Sequence, residues 1–150
     1  DEYGTTLSYQ ELNAENSKLV EKIGKRCLVF CFCQNSIGSI MGYTAFINSN
    51  IPTVLLNAHL DEELRDVLLD NYKPSYLWLP KEQLDSFQNM EKVYETYGYA
   101  LLKTHFDVEY PLYDELCLML TTSGSTGICK TKLQKCTVKC TFYRGILGIG

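Results

Sequence analysis

The chain has 150 residues, 45% of them hydrophobic and 21% charged, which suits one soluble globular domain and excludes a disordered chain. No apolar run reaches the roughly 18 residues that cross a bilayer, so no membrane span is expected. The opening DEYGTTLSYQ lacks the basic start and apolar core of a secretory signal, and a cytoplasmic location is expected. The chain starts at Asp1 and not at Met, so further residues upstream are expected.

The net charge of −4 is unevenly spread: Lys130, Lys132, Lys135, Lys139 and Arg144 give +5 after residue 127, leaving −9 on the residues before it. An acidic body lacks the cationic surface that releases phosphate counterions, so nucleic acid is not an expected partner. Seven cysteines are present. Cys27, Cys31 and Cys33 fall inside the apolar run CLVFCFC, where cysteine acts as a small buried hydrophobe, and an odd total fits a reducing compartment. Cys129, Cys136 and Cys140 form no CxxC pair, while His59 and His105 are far apart in sequence. No metal site is expected from that spacing.

Ser8 and Glu11 read as a capping box. Leu12, Leu19, Val20 and Ile23 follow at helical spacing, with Gly24 as the stop. Cys27 to Cys33 has no alternation, as in a strand covered on both faces. Asn35 or Ser36 is expected to cap a second helix, with Ile37, Ile40, Met41, Thr44 and Ile47 marking its inner side. Thr53 to Leu56 is a second buried strand. Asp61 starts a third helix with Leu64, Val67 and Leu68 inward, ending before Pro74; its Asp61-Glu62-Glu63 run suits a helix N-terminus.

Ser75 to Leu79 is the next strand, with Trp78 in the core, and Lys81 to Asn89 is a short helix. Val93 to Thr96 and Tyr99 to Thr104 form a hairpin turning near Gly98, packed by Tyr94, Tyr97 and Tyr99. Leu116 to Leu120 is a last apolar strand. Alternating strands and helices predict an α/β domain with a parallel, βαβ-layered sheet. From Ile128 onward the acids vanish and neither a helical nor an alternating pattern is evident.

The sharpest motif is Thr121-Thr122-Ser123-Gly124-Ser125-Thr126-Gly127, which directly follows the last strand. Its glycines permit close backbone approach, and its hydroxyls and successive amides suit phosphate oxygens. A plain Ser/Gly surface loop has the same composition, but a position after a fully apolar strand in a βαβ pattern favours ligand binding. In open parallel sheets ligands bind beyond the carboxyl ends of strands. The GxxxxGK[ST] spacing of a Walker loop is absent. His59 reads as a loop histidine, and Asn35 and Ser36 as helix caps.

LMLTTSGSTGICK resembles the phosphate-loop signature of the adenylate-forming (AMP-binding) enzyme superfamily, which includes acyl-CoA synthetases, amino-acid adenylation domains and luciferases. Its pattern is approximately TSG[ST]TGxPKG. Thr122, Ser123, Gly124, Ser125, Thr126 and Gly127 match, and Lys130 falls on its lysine. TTLSYQELNAENSKLV is similar to the family's opening T-Y-x-E-L segment, and Asn35-Ser36 with GSIMGYTAF to its second. The likeness covers residues 3 to 127, the first half of the family's large N-terminal domain. Cys129 stands in place of the usual Pro, and Thr131 in place of the usual Gly. The later adenine, ribose, hinge and catalytic-lysine elements find no match, and residues 128–150 are expected to be a divergent basic tail, out of frame or truncated.

The resemblance implies the first half of an acyl-CoA-synthetase-like fold in an ATP-dependent ligase. A carboxylic acid would attack the α-phosphate of ATP, pyrophosphate would leave, and the acyl group would pass from the adenylate to CoA or to the phosphopantetheine of a carrier protein. Ser123 to Gly127 would hold the β- and γ-phosphates, Thr122 and Lys130 would assist, and Mg²⁺ would bind through the phosphates. No catalytic residue is assigned, and the chain by itself is expected to be inactive. The alternatives are a non-catalytic remnant of such an enzyme and a nucleotide phosphotransferase.

Overall fold

A computed structural model describes Gly4, residues 6–106, Val108 and residues 111–122 and 130–135, with side chains placed as far as Leu120. Helix α1 (Tyr9–Ile23) begins at the expected capping box: the Ser8 amide donates to Glu11 Oε2 at 2.8 Å, and the Glu11 amide donates to Ser8 Oγ at 3.3 Å. Gly24 ends it with a φ of 70°, in the left-handed conformation. Next come β1 (Val29–Cys33), α2 (Ile37–Asn48), β2 (Thr53–Asn57), α3 (Glu62–Tyr72) and β3 (Tyr76–Pro80). A 3₁₀ helix over Lys81–Phe87 leads into the hairpin β4 (Glu91–Thr96) and β5 (Tyr99–Lys103), followed by β6 (Leu116–Thr122) and β7 (Lys130–Lys135).

One seven-stranded sheet results, in the order β4-β5-β3-β1-β2-β6-β7. The four central strands β3, β1, β2 and β6 are parallel, while β5 pairs antiparallel with β3 and β4, and β7 antiparallel with β6. The molecule is therefore α/β, but with a mixed sheet in place of a wholly parallel one. The hairpin β4–β5 accounts for one antiparallel flank; its turn places Tyr97 and Gly98 at positive φ of 44° and 73°, the conformation that suits a tight hairpin. Among the described residues no helix is long and apolar enough to cross a membrane.

The two faces of the sheet carry separate cores. Phe30, Phe32, Leu56, Leu77 and Leu79 pack with Leu68 and Leu69 of α3 and with Phe87. Val29, Cys31, Trp78 and Leu101 pack on the opposite face with Leu19 and Ile23 of α1 and with Ala45 and Phe46 of α2. Each fully buried large side chain contributes about 2 kcal/mol from removal of its surface from water.

Two predicted helix faces are corrected. The expected inner stripe of α2 ran through Ile37, Ile40, Met41, Thr44 and Ile47; Met41 is buried as expected, yet Ile40 is 55% exposed, Ile37, Thr44 and Ile47 are half-buried, and the other buried residues are Gly38, Ser39, Gly42, Ala45 and Phe46. The reason is steric. A Cβ on Gly42 would lie 2.2 Å from Trp78 Cδ1, and one on Gly38 would lie 2.4 Å from Tyr99 Cδ2, so the small residues face the aromatic pair and let the helix axis come close. In α3, Leu68 is buried and Leu64 packs against the core as expected, but Val67 is 49% exposed and Leu69 is buried in its stead.

Candidate functional site

The chain leaves β1 for α2 on one face of the sheet and leaves β2 for α3 on the other. Connections that diverge to opposite faces open a crevice at the carboxyl ends of the strands between them, where α/β sheets bind ligands. Registration brings one row of residues to that edge. Cys33 pairs with Asn57, and Pro80 lies two residues beyond Trp78, the partner of Cys31. Thr122 lies two residues beyond Leu120, whose partner is Leu55, as Asn57 does on the neighbouring strand. Pro80, Cys33, Asn57 and Thr122 therefore end four adjacent strands at one level.

β6 is an inner strand, hydrogen-bonded to β2 on one side and β7 on the other, with Cys117 and Met119 buried. Its last residue, Thr122, pairs with Lys130, the first residue of β7. The backbones of two residues expected to assist phosphate binding are thus brought opposite each other. Ser123, Gly124, Ser125, Thr126 and Gly127 lie outside the described residues. Among the described residues the next element after β6 is β7, its antiparallel neighbour.

Comparison of the chain with family models and with curated proteins returns no match.

Around the row, α2 begins at Ser36, which occupies the cap position without a side-chain cap bond. Its Oγ is buried and makes no hydrogen bond of ordinary geometry. Beside it the Tyr99 hydroxyl donates to the Phe32 carbonyl at 2.9 Å, and the Trp78 indole donates to the Gly38 carbonyl at 2.8 Å. Burial pushes the Tyr99 phenol up to about 12, an effect partly offset by the Ser36 and Ser39 hydroxyls that face it. Those hydroxyls lie close enough to influence the phenol, although the Ser36 contact falls short of hydrogen-bond geometry.

The thiols of Cys31 and Cys33 are 3.7 Å apart, and Cys33 Sγ also lies 3.4 Å from the Cys31 carbonyl. The Cys31 thiol and then Ser39 stabilise a Cys33 thiolate, drawing its pKa down to about 7 against the opposing effect of burial. Cys31, wholly enclosed, moves the other way, held protonated by its contact with Cys33 and by burial.

On the β2 side, Asn57 Oδ1 accepts from the His59 amide at 2.8 Å, and the Gln83 amide donates to the Ala58 carbonyl. His59 is exposed and sits in the loop, as expected. Among the described residues no group of three His, Cys, Asp or Glu side chains is placed to hold a metal ion.

The period-2 spacing of Cys31 and Cys33 could have revealed their shared strand face. Nothing local to Ser36, in contrast, distinguishes a buried hydroxyl without a partner from an ordinary helix cap. Two further concavities lie away from this edge. A cleft of about 230 Å³ is lined by Lys25, Arg26, Cys27, Ser75 and Leu112, and a shallower groove of about 630 Å³ runs between α1 and α2 past Asn16 and Ala45.

Proposed function

We propose that this chain is the amino-terminal part of the nucleotide-binding domain of an ATP-dependent ligase that activates a carboxylic acid as its acyl-adenylate, for transfer to CoA or to a carrier-protein thiol. The observation that carries the reading is the loop motif TTSGSTG leaving an inner strand at the carboxyl edge of the parallel strands, the edge where such sheets take ligands. In this reading Ser123 to Gly127 wrap the β- and γ-phosphates, with Thr122 and Lys130 at the two ends of the loop. Hydroxyls and amides donate to phosphate oxygens and offer little to a hard cation, so Mg²⁺ would be held by the phosphates and by water.

Adenylation needs the acid carboxylate in line with the α-phosphorus while pyrophosphate departs, and catalysis of such a step is mostly positioning and charge stabilisation. A loop that grips the β- and γ-phosphates fixes the leaving group. It does not by itself supply a seat for the acid, and no residue of this chain is assigned to the chemical step.

Competition binding tests the proposal. Tripolyphosphate should displace a fluorescent ATP analogue from the chain, and AMP should not, because the contacts fall on the trailing phosphates. Ser123→Ala and Lys130→Ala should each weaken ATP binding by roughly tenfold, the worth of one charge-assisted hydrogen bond. Equal displacement by AMP, or unchanged affinity in both variants, would contradict the reading. With substrate acids added, the chain alone should release no AMP with pyrophosphate; ADP with a phosphorylated product would favour a phosphotransferase.

A further inference from the structure

Cys31 and Cys33 are separated by one residue on β1, so their side chains leave the same face of the sheet. Their sulfurs stand 3.7 Å apart. Two residues of extended strand span about 6.6 Å, and disulfide-bonded Cα atoms reach about 6.8 Å. The pair can therefore be bridged with a small bend at the strand's end, and a bridge at that limit is strained and readily reduced.

The two thiols also differ in the ways that reactive pairs do. Cys33 is only half-buried, at the open carboxyl edge beside the first turn of α2, whereas Cys31 is fully enclosed behind it. Ser39 on α2 and the Cys31 thiol both face the Cys33 sulfur, and such surroundings favour the thiolate, which is the attacking form.

We propose that Cys31 and Cys33 form a peroxide-sensitive dithiol, with Cys33 as the attacking sulfur, Cys31 as the resolving one, and a reversible disulfide across the end of β1 as the product.

The Cys33 thiolate attacks one oxygen of a hydroperoxide. The O–O bond breaks, an S–O bond forms, sulfur gives up two electrons, and the departing oxygen leaves as hydroxide or alkoxide and takes up a proton. The Cys31 sulfur then attacks the Cys33 sulfur of the sulfenic acid; the S–S bond forms, the S–O bond breaks, and the expelled hydroxide leaves as water with the Cys31 proton. Two thiols and one hydrogen peroxide thus become one disulfide and two waters. A dithiol reductant reverses the bridge by exchange.

The disulfide would pull on the segment between β1 and the first turn of α2, so the redox state is written into the edge where the site row lies. The test treats the 150-residue chain with hydrogen peroxide and maps its cysteines by peptide mass spectrometry, with dimedone to trap sulfenic acid. The expected result is a Cys31–Cys33 bridge formed at least tenfold faster than any modification of buried Cys27, and reversed by dithiothreitol. Cys31→Ser should leave a dimedone adduct on Cys33 and no bridge; Cys33→Ser should abolish both. The unmodified chain carries the test even if a variant folds poorly. A bridge formed by Cys31 or Cys33 with some other cysteine in place of this pair, or Cys33 reacting no faster than Cys27, would overturn the proposal.

Discussion

Arg26 illustrates how one side chain can hold a fold together through backbone carbonyls. Its guanidinium donates to the carbonyls of Asn50, Leu112, Tyr113 and Leu116 at 3.0, 3.1, 2.7 and 2.8 Å. It thereby ties the loop before β2 to the start of β6, at the amino edge of the sheet. Planar forked donors fit several carbonyls at once, which lysine does not match. Arg26→Ala is expected to lower stability by about 2 kcal/mol, seen as a lower urea midpoint, with faster amide exchange in β6 than in β3; an unchanged midpoint would show that the clamp carries no stability.

Two phenols make a second prediction at this scale. Tyr94 is raised to about 12 by burial and by its hydrogen bond to Glu15, and Tyr99 is raised to about 12 by burial. A raised folded-state value favours the neutral phenol in the fold, so this stability is complete below the unfolded value of about 10 and is lost as the pH climbs toward 12. An ultraviolet titration of the folded chain should show two phenols ionising well after the others, and alkaline unfolding should begin between those two values. Eleven tyrosines ionising together near their ordinary pKa would contradict both placements.

Element boundaries were largely legible, because they depend on neighbours in sequence. The capping box at Ser8, the stop at Gly24, the cap at Asp61 and the hairpin turn at Gly98 all act within four residues, and each is found where its residue type points. Helix faces were less legible, since they depend on what lies opposite. In α2 the large aliphatic residues suggested the inner side, but the helix packs against Trp78 and Tyr99 through Gly38 and Gly42. No periodicity of hydrophobic residues could show that a small-residue stripe faces two aromatic rings 5.4 Å apart.

The correction has a measurable consequence. Gly42→Ala should cost about 3 kcal/mol through overpacking, or roughly 6–12 °C of melting temperature for a chain this long. Ile40→Ser, on the face that the pattern favoured, should change stability by less than about 0.5 kcal/mol. The reverse ranking in thermal unfolding would restore the original face.

At the scale of the whole molecule, the α/β class and the order of elements were legible from alternating strand and helix patterns. The mixed character of the sheet was only half legible. The β4–β5 hairpin was expected, but β7 was not, because Lys130 to Lys135 holds three lysines in six residues and shows no apolar alternation. A strand at the sheet's edge needs no second buried face, and lysines on an edge discourage pairing with another chain, so its pattern is weak for a physical reason. Of the candidate site, the strand that carries the loop and its place at the carboxyl edge could be read from the sequence. The shared face of the paired thiols was open to reading from their spacing, but the approach of Tyr99 to Ser36 and Ser39 was not, because β5 lies about sixty residues further along the chain.

The account turns on whether the hydroxyl- and glycine-rich loop after β6 holds the trailing phosphates of a nucleotide. Amide chemical shifts followed during titration of the whole chain with tripolyphosphate measure that position by position. The expected result is saturable movement of the amides of Ser123 to Gly127 and of Lys130, with those of Ser36 to Ser39 at the start of α2 unmoved. Movement confined to α2, or no saturable movement in the loop at millimolar tripolyphosphate, would contradict it.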